Sequence, residues 1–222
     1  PPTVADTTLE NISDGSTFSL NASDVDGTTP TIVLVPSENG VGQTIFGGTV
    51  TSSDGLFTYH ASPSNPSLDY IFYKAQDAIS ESDLALITFT IPTGTLTIDR
   101  LGEVAISDNI IMSEDSTKAI TFLGFDATPP GWVTDPGPEI QITTSPIHGE
   151  MSEITLVDVN ATTARWTGDY LPEENYTGVD TIKFQVRNPN ESPGSEGTWS
   201  AEGVIGITIN SINDAPTITS TE

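Results

Sequence analysis

The sequence contains no cysteine and has only 6 Lys+Arg against 31 Asp+Glu among its 222 residues. The absence of cysteine excludes disulfides, thiolate metal sites and cysteine nucleophiles. The formal net charge of −25 argues against nucleic-acid binding, which needs a positive surface, and against docking on anionic lipid. No run of 18 apolar residues is present, so we expect no membrane insertion by this segment. The start at Pro1-Pro2, without a signal sequence, predicts a segment from within a longer chain.

The hydrophobic pattern has the period of β-strands. Apolar residues occupy every second position in Phe18–Ala22, Ile87–Ile91, Thr181–Val186 and Ile205–Ile209, and each predicts a half-buried strand with one solvated face. We find no amphipathic helix of three turns. Gly (19) and Pro (16) interrupt the chain at short intervals, as in antiparallel sandwiches. The predicted fold class is all-β, with Ig-like sandwiches.

The chain contains an internal repeat. Phe18–Asp24 aligns with Ile120–Asp126, and Asp69–Ala75 aligns with Asp180–Val186. The offset grows along the chain, which indicates insertions in the second copy. Two Pro- and Gly-rich segments are the candidate insertions: Pro129–Pro138 and Asn188–Gly197.

The repeat predicts two homologous domains of the size of an Ig-like sandwich. We place them at residues 1–96 and 97–216. Ala215–Ile218 is similar to Pro1–Val4, so residues 217–222 are predicted to begin a further repeat of a tandem array.

Five segments of the second domain carry a family resemblance. Ile207–Pro216 ends in Asn-Asp-Ala-Pro after an alternating strand, and the other four are Ser113–Ser116, Gly124–Asp126, Ser145–Gly149 and Tyr170–Asp180. Together they resemble the cadherin-like and bacterial Ig-like tandem repeats of the VCBS and tandem-95 type, which occur in large extracellular surface adhesins. The first domain matches this pattern more weakly.

The resemblance implies Ca²⁺ at the seams between neighbouring repeats. Ca²⁺ takes 6–8 oxygen ligands, which short acidic side chains on loops can supply. The candidate ligands in the second domain are Glu114, Asp115, Asp126, Asp180, Asn213 and Asp214. Those in the first domain are Asp24, Asp26 and Asp69. The alternative for each Asp is a turn-forming role, which is common in β proteins.

The joint between the two domains departs from the family pattern. The chain after Ile91 lacks the Asn-Asp-Ala-Pro sequence, and the early acidic pair is reduced to Asp14 before a glycine. We therefore expect a metal-free joint, held by an extra strand pairing or by apolar contacts of Leu96, Ile98 and Leu101.

Few residues suit catalysis. The two histidines are His60, after a strand, and His148, in a turn, and no Gly-x-Ser-x-Gly elbow is present. Glu173 and Glu174 are adjacent, so their side chains are expected to point apart. We expect no enzyme activity.

Two tryptophans outside the strands, Trp132 and Trp199, suggest an alternative role in polysaccharide binding, or in an accessory domain of an extracellular hydrolase. The competing interpretation is core packing, which is normal for tryptophan in a sandwich. Five Asn-x-Ser/Thr sequons would be possible glycosylation sites if the source is eukaryotic: Asn11, Asn21, Asn160, Asn175 and Asn190.

Together these patterns predict a non-catalytic structural or adhesive segment of a long extracellular surface protein or filament. Its domains would stack end to end, with Ca²⁺ stiffening some joints. The expected partners are neighbouring repeats, other copies of the chain and possible polysaccharides, with no nucleic acid.

Overall fold

A computed structural model describes residues 1–27, 29–38, 41–64, 66–78, 80–92, 94, 103–126, 132, 137–189 and 197–213. The regular structure of these residues consists of strands, without a helix. This confirms the predicted all-β class. The predicted boundaries near residues 96 and 216, and the beginning of a further repeat at 217–222, lie outside the described residues and stay predictions.

The first domain contains eleven described strands. They are β1 (Pro2–Thr3), β2 (Thr7–Leu9), β3 (Thr17–Phe18), β4 (Ser23–Asp24), β5 (Thr31–Val35), β6 (Ser37–Glu38), β7 (Val41–Gln43), β8 (Thr49–Ser53), β9 (Leu56–His60), β10 (Leu68–Gln76) and β11 (Ala85–Thr90). One sheet has the order β2-β11-β10-β5, and the other has the order β3-β9-β8-β7-β6. A short third pair joins β1 to β4.

The second domain contains nine described strands. They are β12 (Val104–Ile106), β13 (Asp108–Ser113), β14 (Lys118–Phe125), β15 (Glu139–Thr144), β16 (Gly149–Met151), β17 (Thr155–Val159), β18 (Thr163–Pro172), β19 (Gly178–Arg187) and β20 (Gly203–Asn210). One sheet has the order β13-β20-β19-β15. The other has the order β12-β14-β18-β16, and β17 also pairs with β18.

The two domains repeat one topology. In each, an early strand runs parallel to the last strand: Thr7 lies opposite Ile87 in β11, and Asp108 lies opposite Ile205 in β20. The last strand also pairs antiparallel with the long strand before it, β11 with β10 and β20 with β19. The internal repeat seen in the sequence is therefore a repeat of strand order.

The predicted strands are found with one difference. The segments at 87–91, 181–186 and 205–209 lie essentially within β11, β19 and β20, but the strand predicted at Phe18–Ala22 ends at Phe18. After Phe18 the chain turns away from β9, the partner of β3. It begins β4 at Ser23, and β4 pairs with β1. The alternating pattern persists because Leu20 still packs against the core.

Each sandwich has its own apolar core. The first core brings together Phe18 and Tyr59 from one sheet with Ile71 and Phe89 from the other. The second packs Phe122 and Trp166 against Phe184 and neighbouring side chains of the opposite sheet. Aromatic rings contact one another in both cores: Phe18 stacks on Phe57 at 5.7 Å, and Phe122 and Phe184 meet edge to face at 5.2 Å.

A third apolar cluster lies between the two domains. In the first domain Val35, Phe72 and Leu86 form a row across β5, β10 and β11 on the outer face of the sheet. This row packs against Leu123 and Phe125 of β14, whose ring lies 5.7 Å from that of Phe72. Both faces of β10 are consequently buried.

The two domains lie side by side in opposite directions. Tyr70, near the start of β10, has its ring 5.0 Å from Phe125 at the end of β14. Glu81, after the end of β10, contacts Lys118 at the start of β14 at 2.9 Å. Because β10 and β14 run antiparallel across the interface, the second domain is folded back along the first.

The folded-back arrangement corrects the expectation of end-to-end stacking for these two domains. Among the described residues no strand of one domain pairs with a strand of the other, so the contact is made by side chains of two sheet faces. The apolar residues expected at the joint, Leu96, Ile98 and Leu101, lie outside the described residues.

Phe72→Ala tests this interface. The side chain is fully buried between the domains, so its truncation is expected to cost about 3–5 kcal/mol of unfolding free energy. Urea unfolding measures the loss, and Leu56→Ala, at a half-exposed position of the same domain, is the control with an expected change within about 0.5 kcal/mol. An equally small change for Phe72→Ala would contradict the buried interface.

Candidate functional sites

Three aspartates form an acidic group that we call the aspartate triad: Asp24, Asp26 and Asp77. One carboxylate oxygen of each lies within 4.8 Å of the others. Asp24 ends β4, Asp26 follows in the turn, and Asp77 comes directly after β10. Among the described residues this is the one group of three or more such side chains at this spacing.

Local hydrogen bonds hold the triad in place. The Asp26 N–H donates to Asp24 Oδ1 at 3.3 Å, and the Ser80 N–H donates to Asp77 Oδ1 at 2.6 Å. The nitrogen of Pro1 lies 3.7 Å from Asp24 Oδ1. Any residue joined to Pro1 would therefore enter the structure beside the triad.

The structure brings together two of the predicted ligands, Asp24 and Asp26, and adds one that sequence reasoning missed. Asp77 directly follows β10, and the sequence signal for it is its place two residues after the repeated segment Asp69–Ala75. Hard oxygen donors of this kind suit Ca²⁺ or Mg²⁺.

Asp69 and Asp180 occupy equivalent positions and hold loops by hydrogen bonds. Asp69 accepts from Thr44 Oγ1 (2.6 Å), Tyr59 Oη (3.0 Å) and the N–H groups of Phe46 and Tyr70. The role is structural: a fully buried carboxylate fastens the loop before β8 to the start of β10.

Asp180 repeats the arrangement in the second domain. It accepts from Tyr170 Oη at 2.9 Å and from the N–H groups of Ile147, His148 and Thr181. In both domains the tyrosine precedes the aspartate by ten residues. The two candidate ligands are thus surrounded by donors and stand apart from the aspartate triad.

The pKa values of the two equivalent carboxyl groups are shifted in opposite directions. Burial raises the pKa of Asp69, although its hydrogen bonds from Thr44 and Phe46 act against the rise. Burial also acts on Asp180, but the backbone donors of Ile147 and His148 outweigh it and lower the pKa of that carboxyl group.

Among the described residues, the other candidate ligands of the second domain form no group of three acidic side chains like the aspartate triad. Glu114 Oε1 accepts from the Ile212 N–H, and Asp115 Oδ1 accepts from the Asn175 N–H. Asp126 is buried, and its own N–H donates to Thr162. Asn213 is exposed. Asp214 lies outside the described residues.

A buried charge cluster sits between the domains. Lys74 Nζ lies 2.8 Å from Glu81 Oε2 and 2.7 Å from Asp108 Oδ1, and it donates to the Asn109 carbonyl at 2.5 Å. The side chains of Lys74, Glu81 and Asp108 are 3%, 7% and 11% exposed. Lys118 Nζ contacts Glu81 Oε1 at 2.9 Å.

Burial and charge act on both acids of this cluster. Burial raises the pKa of Asp108, against the opposing effect of the Lys74 ammonium group. Burial also works to raise the pKa of Glu81, but the ammonium groups of Lys74 and Lys118 outweigh it and hold that pKa below its usual value.

The two tryptophans proposed for sugar binding differ in exposure. Trp132 is 6% exposed, meets Trp166 edge to face and donates from Nε1 to the Thr162 carbonyl. Its ring belongs to the core and cannot stack on a sugar, so this candidate is corrected. Trp199 is half-buried, with the Arg187 guanidinium 4.6 Å from its ring centre.

Four of the five sequon asparagines are exposed: Asn11, Asn21, Asn160 and Asn175. Asn160 uses its side chain in a turn, where Oδ1 accepts from the N–H groups of Thr162 and Thr163. Asn190 lies outside the described residues. Glycosylation of all five stays a prediction.

Each histidine lies near one carboxylate, and for His60 this is Asp14, at 3.9 Å. His148 stacks on Tyr176 at 4.0 Å and lies 3.6 Å from Glu173, and His60 Nε2 lies 3.4 Å from Thr51 Oγ1. Glu173 and Glu174 are both exposed in the turn after β18. Within the described part of the chain, no helix is present that could span a membrane.

Comparisons with known proteins say little about the family or function of this chain. No protein-family model matches the chain, and no curated protein matches it; the resemblance to the VCBS and tandem-95 type thus has no support from a family model. One similar solved structure is human protocadherin-24 EC1-2, with 13% identity, a TM-score of 0.31, and coverage of 97% of this chain and 99% of that chain.

A second similar solved structure is the endo-fucoidan hydrolase MfFcnA4 from glycoside hydrolase family 107, with 14% identity and a TM-score of 0.31. The alignment covers 96% of this chain, which spans 29% of the hydrolase chain. A third is Dpr2 Ig1-Ig2, with 11% identity, a TM-score of 0.28, and coverage of 96% and 65%. At these TM-scores the likenesses carry no argument about function.

The opposite pKa shifts of Asp69 and Asp180 predict opposite pH effects. Because the folded-state pKa of Asp180 is lowered, its contribution to stability is present above the unfolded value and is lost as the pH falls through the folded value. Because that of Asp69 is raised, its contribution is greatest at low pH and is lost as the pH rises through the folded value.

Urea unfolding of Asp180→Asn and Asp69→Asn, each against wild type, measures these effects. Between about pH 7 and about pH 3, the destabilisation by Asp180→Asn is expected to shrink and that by Asp69→Asn to grow. The two variants control each other. A change of the same sign in both would show that the two carboxylates do not differ in this way.

Proposed function

We propose that this chain is a non-catalytic structural or adhesive segment of a long extracellular surface protein, and that it binds Ca²⁺ at the aspartate triad. The observation that carries the proposal is the convergence of Asp24, Asp26 and Asp77 at one end of the first domain, beside Pro1. This is the end at which a preceding repeat would connect.

The chemistry of the triad favours a cation. Three carboxylates within 4.8 Å repel one another until a positive charge neutralises them. Used in bidentate fashion they offer up to six oxygens, and water or a neighbouring repeat can complete the 6–8 ligands that Ca²⁺ takes. Mg²⁺ is disfavoured because it requires near-octahedral geometry and retains much of its water.

The interface between the two domains supports a mechanical role. The third apolar cluster and the buried charges fix the second domain against the first. A preceding repeat held at the aspartate triad would then meet a rigid two-domain body. The remaining expected ligands, Glu114, Asp115, Asn213 and Asp214, stay a prediction for a seam with a following repeat.

A thermal melt with Ca²⁺ tests the metal site. With a Kd of about 10⁻⁴ M, about 10 mM Ca²⁺ would stabilise the fold by about 2.7 kcal/mol. For a chain of this size that corresponds to a rise in Tm of about 5–10 °C over the value in chelator.

Asp77→Asn is expected to abolish this rise, whereas Asp158→Asn, an exposed aspartate of the second domain, should retain it. About 10 mM Mg²⁺ should give a smaller rise than Ca²⁺. An unchanged Tm in Ca²⁺, or a rise that survives Asp77→Asn, would argue against the site.

A second candidate function is binding of a neutral polysaccharide by the outer face of β15 and β19. Half-buried Trp199 lies there beside Arg187, which pairs with Glu139 at 2.6 Å. The amides of Gln141 and Gln185 are held 2.8 Å apart on the same face. Aromatic rings and fixed planar polar groups are the usual sugar-binding side chains. An accessory role beside a hydrolase would use the same face.

Affinity electrophoresis through gels containing neutral glucan or mannan tests this role. Retardation is expected for wild type and for Leu171→Ala, a half-exposed leucine of β18, and is expected to be lost in Trp199→Ala. Equal mobility of all three proteins in the gels with and without polysaccharide would exclude these ligands.

A further inference from the structure

We propose that Lys74 and Asp108 become joined by an amide (isopeptide) bond between the two domains, and that Glu81 carries the protons for this reaction. The Lys74 Nζ lies 2.7 Å from Asp108 Oδ1 and 2.8 Å from Glu81 Oε2. The three groups come from β10, the loop after it, and the start of β13.

The placement of the groups favours reaction over a simple ion pair. Fixing an amine against a carboxyl group converts a reaction between two molecules into one within a single molecule, which is a large rate advantage. Burial disfavours the charged form of Asp108, so its carboxylic acid becomes more accessible than in water. The raised pKa of Asp108 agrees with this.

Lys74 is buried, with apolar side chains beside its acidic partners. Phe72 and Val35 lie on the same sheet face and are buried in the third apolar cluster. A buried ion pair carries a desolvation penalty that its mutual attraction repays only in part. Condensation replaces the two buried charges by one neutral amide and thereby removes that penalty.

Glu81 is held in position to transfer protons. Its Oε1 accepts from Lys118 Nζ at 2.9 Å and from the Ile111 N–H at 3.3 Å, while Oε2 faces Lys74. Lys118 is thus a positioning residue for Glu81. The ammonium groups of Lys74 and Lys118 lower the pKa of Glu81, so Glu81 rests as an anion and passes on any proton that it takes from Lys74.

The atoms of the step balance without an oxidant or cofactor. The Nζ–Cγ bond between Lys74 and Asp108 forms, and one Cγ–O bond of Asp108 breaks. The Lys74 ammonium group loses two protons, which Glu81 transfers to the departing oxygen, and one water leaves. A cavity of about 560 Å³ beside Lys74, Asp108 and Ile110 gives this water a path out.

Intact-mass spectrometry of the purified 222-residue chain under denaturing conditions tests the proposal. The wild-type protein is expected to be lighter than its sequence by one water, about 18 Da. A protease digest should contain a peptide pair joined through Lys74 and Asp108. A wild-type mass equal to that of the sequence would overturn the bond and leave a buried ion cluster.

Variants separate this bond from other losses of water. Lys74→Arg and Glu81→Gln are expected to have their full sequence masses. The matched control Glu202→Gln, at a glutamate paired with Lys183 on the surface, should keep the loss. Asp108→Asn should release ammonia in place of water and lose about 17 Da.

A loss of about 18 Da that persists in Lys74→Arg would come from succinimide formation at an Asp-Gly sequence such as Asp54-Gly55. That result would overturn the proposal. The intact mass and the linked peptide pair are both measured on the wild-type protein. These two results therefore do not depend on whether a variant folds.

Discussion

The structure depends on the burial of both faces of one sheet. One face of β10 and β11 closes the core of the first domain, and the other closes the interface with the second. Phe72 and Leu86 could not be exposed together without leaving a large apolar patch on the surface. The position of the second domain is therefore set by the same strands that build the first.

The few cations of the chain are used where they fix this arrangement. Lys74, Lys118 and Arg165 contact the other domain or bridge to it, Arg165 by donating to the Leu84 carbonyl at 3.0 Å. In a chain with 6 Lys+Arg and a net charge of −25, cations placed between domains neutralise acids that would otherwise repel each other across the interface. The acidic surface then faces solvent, where water screens it.

Much of the fold could be predicted from the sequence, but the relation between the domains could not. Alternation identified the strands at Thr181–Val186 and Ile205–Ile209 because each has one solvated face. The nearly continuous apolar run Asp69–Ala75 lacks this alternation. Such a run signals burial on both faces, and it marked the interface that the prediction of end-to-end stacking missed.

The roles of the aspartates could not be predicted from the sequence either. Residue type and spacing distinguish neither Asp69 from Asp24 nor Asp180 from Asp126, because what decides the role of a carboxylate is the set of donors that the fold brings to it. Asp69 and Asp180 receive four donors each, which hold their carboxylate oxygens against the neighbouring loops. The triad concentrates three carboxylates within 4.8 Å at a domain end, which is the arrangement that the proposed cation site requires.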